Sequence, residues 1–171
     1  KANAFRTKLN PEYRTRDSDQ LFGTNPCSEI ILRDREFCNL TEVIVREDDT
    51  CKSLQRKVKL ATILGTWQST LLNFRFISGE WKKNCEEERL LGVSMTGIFD
   101  NMFTAGQTSP MDLIGFLQDI RDAAQDINVE WANKLDTEPS KAITCVKPEG
   151  TTSCLAGCSS GIHPPYAPYY I

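Results

Sequence analysis

The chain has 171 residues, 40% hydrophobic and 25% charged, with a formal net charge of −3. That is enough chain for one domain with a sizeable core, and its charge gives no bulk basic field to attract nucleic acid. No apolar run approaches the roughly 18 residues of a membrane span, and the polar opening KANAFRTKLN lacks the apolar stretch of a secretory signal, so nucleic acid and membrane are not expected as partners and the expected compartment is cytoplasmic. Seven cysteines are an odd number for a closed disulfide framework. No CxxC pair and a single histidine, His163, leave a structural zinc site without support, and no metal is expected. Cys51, Cys85, Cys145, Cys154 and Cys158 read as small buried residues of a reduced protein. The chain opens on Lys and closes in PYYI, and both ends read as cut from a longer protein.

Residues 1–22 are polar and of mixed charge, with RTRDSDQ (14–20) a surface segment. Pro26 fixes its own backbone and keeps Asn25 out of the helical region, so Asn25-Pro26-Cys27 marks a turn. Two β-like runs follow, EIIL (29–32) and FCNLTEVIV (37–45), separated by the charged turn RDRE. Asp49 or Thr50 caps a helix carrying Leu54, Val58, Ala61, Leu64, Gln68 and Leu72 at helical spacing, widened by Ile63, Trp67 and Leu71. This helix is predicted to run to about Phe74 and to be buried on much of its surface.

SGEWKKNCEEERL (78–90) reads as a charged connector, and RLLGVSMTGIFDN (89–101) as a buried strand entering a turn. Ser109 caps the next helix, with Pro110 at its first position and Asp112 in its first turn. Its stripe is Leu113, Phe116, Leu117, Ile120, Ala124, Ile127 and Trp131, ending near Leu135. AITCV (142–146) is a short strand that runs into KPEGTTS and a short helix. Strands separated by long helices predict an α/β fold with parallel neighbours.

Two stretches could carry chemistry. In KPEGTTS a strand ends, Pro148, Glu149 and Gly150 turn the chain, and Thr151, Thr152 and Ser153 open a helix. Backbone amides and hydroxyls there suit a phosphate, although no Walker A pattern is present and a capped helix explains the same residues. Glu149 would repel a phosphate and is expected to point away from it. The other stretch is Asn25-Pro26-Cys27-Ser28-Glu29. On an extended loop, an amide and a carboxylate two residues to either side would share the thiol's face, and so could bind adjacent sugar hydroxyls beside a sulfur. A neighbouring carboxylate disfavours a thiolate, which suits Cys27 to hydrogen-atom chemistry rather than to nucleophilic attack. A turn with one buried cysteine is the plainer reading.

NPCSEI (25–30), FCNLTEV (37–43), RLLGVSMTGI (89–98), AITCVKPEGTTS (142–153) and GIHP (161–164) stand in an order that resembles the catalytic subunit of ribonucleotide reductases. The resemblance runs from about Gly23 to Ile171 and is nearest to the class II, adenosylcobalamin-dependent enzymes of the ribonucleoside-triphosphate reductase type. The eleven-residue step from Cys27 to Cys38 tilts it that way.

The resemblance implies part of a ten-stranded α/β barrel with a central finger loop. Residues 1–171 would be a partial catalytic barrel domain, with a surface segment (1–22), a finger loop and strand (23–45) and a phosphate-binding loop with its following segment (142–171). It implies that Cys27 is the thiyl-radical cysteine that takes the ribose 3′-hydrogen, that Glu29 is the base for the 3′-hydroxyl, and that Asn25 binds substrate hydroxyls. Cys38 would be one of two reducing cysteines, its partner lying upstream. Pro148 to Ser153 would hold the substrate phosphates. Adenosylcobalamin, an external dithiol or thioredoxin-like reductant, a ribonucleotide and the remaining portion of the reductase are the implied cofactor and partners. Alternatives are a class I large-subunit fragment and a truncated nucleotide-binding remnant without activity. His163 reads as a turn residue, and Tyr166, Tyr169 and Tyr170 as packing.

Overall fold

In the computed structural model, which describes residues 16, 17, 19–165 and 167, an antiparallel hairpin leads into a parallel strand pair covered by helices. The hairpin is β1 (Phe22–Thr24) and β2 (Ile31–Arg33), paired Phe22 to Arg33 and Thr24 to Ile31. The second run begins later than EIIL suggests because Asn25 to Ile30 are spent on the connection between the strands.

β3 (Asn39–Ile44) and β4 (Leu91–Thr96) are parallel, as the alternation of strands and helices predicts, in register from Asn39 with Leu91 to Ile44 with Thr96. Residues 142–146 run along the other edge of β4. They make a single parallel bridge, Val93 with Thr144, supported by Leu91 and Val93 N–H bonds to the Ala142 and Ile143 carbonyls. Among the described residues there are four strands and this bridge.

Helix α1 (Cys51–Gln68) starts where Thr50 and Ser53 cap one another reciprocally. It stops at Gln68, short of Phe74. The Ser69 and Thr70 hydroxyls take the carbonyls of Thr66 and Trp67, and the chain unwinds through i+3 bonds. Leu54, Val58 and Ala61 meet Val43, Val45, Val93, Phe116, Ile120 and Ala124 in the core. Each fully buried aliphatic or aromatic side chain of this kind is worth about 1.5–3 kcal/mol. Only this side of α1 is covered: Leu64 and Trp67 are 56% and 47% exposed, and Leu71, beyond the helix end, 70%, against the broader burial predicted.

The charged connector is in fact a helix, α2 (Gly79–Glu88). Its charges conceal an inward side made by Cys85 and Glu88, with Trp81 one turn earlier against Phe37. Helix α3 (Pro110–Lys134) begins at the predicted Ser109 cap and ends one residue before the predicted end. Buried Asn128 donates to the Thr66 and Ser140 hydroxyls and accepts from the Ser140 N–H. That knot fixes where the 142–146 segment enters the sheet. Helix α4 (Gly150–Ala156) follows the KPEG turn.

The polar segment before β1 is not all surface. Arg16 is buried, donates to the Ile31 carbonyl, and pairs with Glu36 and Glu88. Arg33 reaches Glu88 from the other side, so the guanidiniums bolt the hairpin onto α2. Residues 1–15, Tyr166, Tyr169 and Tyr170 lie outside the described residues.

Candidate active site

Side chains alternate across a strand, and the two faces of this sheet have different occupants. Thr41, Val43 and Val45 on one side of β3, with Leu91 and Val93 on β4, pack toward α1. The opposite face carries Cys38, Leu40 and Glu42, then Gly92 and Ser94, then Cys145 and Lys147. Every residue with reactive or titratable chemistry on these three segments therefore lies on the side away from the core.

Gly92 makes room at the centre of that face. A Cβ there would stand 3.2 Å from both the Cys38 and the Cys145 sulfurs. The two thiols thus lean over one glycine from the segments flanking β4. Burial pushes the Cys145 thiol up to about 12, and raises Cys38 further, with Cys145 itself and then Glu36 and Glu29 adding to the effect on Cys38. Both are held as neutral thiols.

The Asn25–Glu29 loop is not extended. Asn25 N–H donates to the Ile30 carbonyl, the Ile30 N–H donates to Asn25 Oδ1 at 3.1 Å, and the Ser28 N–H donates to the Asn25 carbonyl. Ser28 takes a left-handed φ of 62°. This tight tip replaces the expected sharing of one face: Cys27 is exposed, whereas the Glu29 side chain is turned inward and only 6% exposed. Asn25 spends its oxygen on closing the loop, so its NH2 is the end it can present.

Neither carboxylate oxygen of Glu29 has a hydrogen-bond partner. What faces it is Lys147, with Nζ at 3.6 Å from Oε1, an ion pair rather than a hydrogen bond. The same ammonium lies 3.5 Å from Glu149 Oε1 and within electrostatic reach of Cys27. Lys147 therefore joins the hairpin tip to the KPEG turn. Glu149 itself takes a left-handed φ of 47° and folds inward to Lys147 and Glu42. Burial, then the Glu149 charge beside it, lifts the Glu42 carboxyl to about 8.

Within the turn, Ser153 is buried and its hydroxyl donates to the Gly150 carbonyl, while its N–H is taken by the Glu149 carbonyl. Thr151 is exposed and Thr152 half-buried. The turn is propped from behind by CSSG. The Ser160 hydroxyl donates to the Pro148 carbonyl at 2.6 Å, and the Gly161 N–H to Thr96 Oγ1 at 2.9 Å. Gly161, at φ 46°, lies so close to the Lys147 and Pro148 carbonyls that no side chain fits.

His163 is exposed, its N–H bonded to the Ser160 carbonyl. Cys51 and Cys154 are exposed, against the buried role expected of them, because each sits on the solvent side of a helix's first turns; Cys85 is buried. Among the described residues no group of three or more His, Cys, Asp or Glu is arranged to hold a metal ion, and no helix is long and apolar enough to cross a membrane.

Sequence reasoning missed Lys147 and Glu42. The signal was present: a lysine ending the apolar run AITCV, and a glutamate inside the apolar run of β3.

No protein-family model matches the chain. It is 30% identical to an adenosylcobalamin-dependent ribonucleoside-triphosphate reductase of Lactobacillus acidophilus over 93% of its own length, covering 24% of that protein. It is 29% identical to the reductase of the same name from Euglena gracilis, over 94% of this chain and 21% of that one. A crystal structure of a B-12 dependent (class II) ribonucleotide reductase shares its fold, with a TM-score of 0.67 at 22% identity over 86% of this chain and 23% of the other. The chain spans less than a quarter of the length of these relatives.

Proposed function

We infer that this chain, a relative of adenosylcobalamin-dependent ribonucleoside-triphosphate reductases over most of its length, is part of the catalytic barrel of such an enzyme. It contributes to reduction of a ribonucleotide, as the triphosphate, to the 2′-deoxyribonucleotide. The observation that carries the reading is the convergence at Lys147: its ammonium faces Glu29 on the hairpin and Glu149 on the turn, with Cys27 in electrostatic reach. A thiol, a donor-starved carboxylate and the KPEG turn thereby meet round one ammonium. The relatives named above favour this over a class I large subunit.

In this reading the hairpin is the finger loop and the β3–β4 sheet a part of the ten-stranded barrel. An apolar groove of about 310 Å³ beside the 142–146 edge, lined by Val58, Val93, Met95, Leu117, Ile120 and Val146, is where further barrel elements pack. The remaining portion of the reductase supplies them. Seven free thiols suit a reducing, cytoplasmic setting.

The exposed tip position of Cys27 fits a thiol that must be reached from outside the chain. When bound, adenosylcobalamin supplies the radical that makes Cys27 a hydrogen-atom acceptor. Cys27 then takes the ribose 3′-hydrogen. Glu29, whose oxygens are both without donors, accepts the 3′-hydroxyl proton. Asn25 donates its NH2 to a substrate hydroxyl. The 2′-hydroxyl takes a proton from the reducing thiol pair and leaves as water; after reduction Glu29 returns its proton to the 3′-oxygen and Cys27 returns the hydrogen atom to C3′. Cys38 and a second cysteine outside this chain supply two electrons and close a disulfide, which a thioredoxin-like dithiol reopens. Pro148, Glu149, Gly150, Thr151 and Thr152 border the phosphates, and Ser153 shapes the turn rather than donating to the ligand.

The test is Cys27→Ser in the full-length enzyme, assayed with adenosylcobalamin and a dithiol supplied directly. Reduction is expected to vanish, and substantial turnover by the variant would end the radical assignment. Cys38→Ser should still form the radical while losing multiple turnover. Loss of radical formation in that variant would remove Cys38 from the reducing pair.

A further inference from the structure

Three carboxyl groups, from Glu29, Glu42 and Glu149, gather round a single ammonium. Their side chains come from the hairpin, from β3 and from the KPEG turn; the Cys145 thiol lies within electrostatic reach of all three, the Cys38 thiol within reach of Glu29, and the Cys27 thiol within reach of the ammonium. The Lys147 side chain is 18% exposed, that of Glu29 6% and that of Glu149 9%. A buried carboxylate without a counter-charge is costly, and one beside other carboxylates more so.

The backbone below the ammonium is immobilised. Lys147 N–H donates to Ser94 Oγ at 3.1 Å, and Gly161 presses on the Lys147 carbonyl. From that fixed base the side chain divides its charge between two carboxylates, at 3.6 Å and 3.5 Å. The division matters. A lysine drawn wholly to Glu29 would hydrogen-bond it and occupy the lone pairs a substrate hydroxyl needs. At 3.6 Å the charge is compensated and both oxygens remain acceptors.

We propose that Lys147 is the positioning residue for Glu29. Its ammonium, held back by Glu149, faces the Glu29 carboxyl inside the site without hydrogen-bonding it, and so leaves both oxygens open to the substrate. Lys147 touches no reacting atom in this scheme and acts through Glu29. The proposal rests on the reductase reading above, in which Glu29 is the base.

A double-mutant cycle in the full-length enzyme tests it, comparing Lys147→Met, Glu29→Gln and the pair, with Lys147→Arg as the conservative variant. Nucleoside triphosphate is the substrate and thermal unfolding is followed in parallel. Lys147→Met should lower kcat about 100-fold while KM moves less than about threefold. Lys147→Arg should recover kcat to within about tenfold of the unsubstituted enzyme. In the Glu29→Gln background, Lys147→Met should change kcat less than about twofold, because the residue it serves is already gone. Should Lys147→Met fail to fold, Lys147→Gln takes its place in the cycle.

A raised KM with kcat kept would make Lys147 a phosphate-binding cation and overturn the proposal. Equal losses in both backgrounds would make it a structural residue and overturn it as well. An unsubstituted enzyme that does not reduce ribonucleotides takes down the reductase reading and this one with it. An active unsubstituted enzyme with either of the two contrary results takes down this one alone.

Discussion

Glu88 and Glu29 are both buried, their side chains 0% and 6% exposed, and their surroundings are opposite. Glu88 accepts from Arg16 on one oxygen and from Arg33 on the other, the latter at 2.8–2.9 Å, between elements 55 to 72 residues apart. Glu29 has one ammonium at 3.6 Å and no donor on either oxygen. A carboxylate whose acceptors are filled by its own chain holds structure together. One whose acceptors are left open in a buried place bears a desolvation cost that folding does not repay, and a ligand's donors can. The difference separates the bolt of this fold from its candidate base.

The widest gap between the two should appear on Glu→Gln at position 29. Turnover of the full-length enzyme is expected to fall by about 10²–10⁴-fold, the range for loss of a positioned base. Its thermal midpoint should hold or rise, since a neutral amide bears burial better than a carboxylate. A variant that loses stability along with activity would return Glu29 to the company of Glu88.

Next in size is Glu88→Ala. Removing the shared carboxylate leaves buried Arg16 with only Glu36, at 3.4 Å, and Arg33 with only the half-exposed Glu87, at a cost of up to about 3–5 kcal/mol. Urea unfolding should register that loss, and any fall in activity should track the unfolded fraction. An unchanged midpoint would mean that the Arg16 and Arg33 contacts contribute no net stability.

Gly92→Ala comes third. A methyl group there runs first into Leu40 Cδ2 at 2.5 Å, which must shift, and then meets the two sulfurs at 3.2 Å, and the overpacking should cost about 1–3 kcal/mol. It also pushes Cys38 and Cys145 apart, so the slower reaction of these thiols with a small alkylating agent in the folded state should change. Unaltered stability together with unaltered thiol reactivity would show that the notch is not shared.

Much of this was legible in the sequence, and what was not has a physical reason. The helix start at Asp49 or Thr50, which the structure settles on Thr50, the Ser109-Pro110 start and the parallel pairing are set by local chemistry and by strand-helix alternation, and they were legible. The hairpin bolt was not readable. Arg16 sits in a polar stretch, and its partner Glu88 lies 72 residues on, in a run whose charges looked like solvent-facing ones. Long-range ion pairs leave no periodicity behind. The site was half readable. Cys27 and Glu29 stood out by type and spacing and Cys38 through the family resemblance, whereas Lys147 and Glu42 acquire meaning only once the sheet has turned them to the same face. The loop between Asn25 and Glu29 misled because a left-handed Ser28 breaks the alternation that an extended loop would keep.

The smallest effect concerns pH, and it tests whether the donor-poor cluster behaves as its burial requires. The Glu42 carboxyl is lifted from an ordinary 4.5 to about 8, first by burial and then by Glu149. The folded chain therefore keeps a proton that the unfolded chain has released. Its contribution to stability is whole below about 4.5 and drains away as pH rises to about 8. Glu36, in the arginine-bolted cluster, is lifted from 4.5 to about 8 by burial and drains in the same direction. A falling thermal midpoint between pH 5 and 8 thus cannot assign the effect to either cluster, but Glu42→Gln can. The amide keeps the shape and removes the titration, so the midpoint should fall less steeply with pH by a few degrees over that range, with little change at pH 5. An unaltered slope would mean that Glu42 is relieved of its neighbours in solution. In that event the three carboxyl groups do not share one enclosed place, and the case for Lys147 as the buried counter-charge of Glu29 and Glu149 weakens with it.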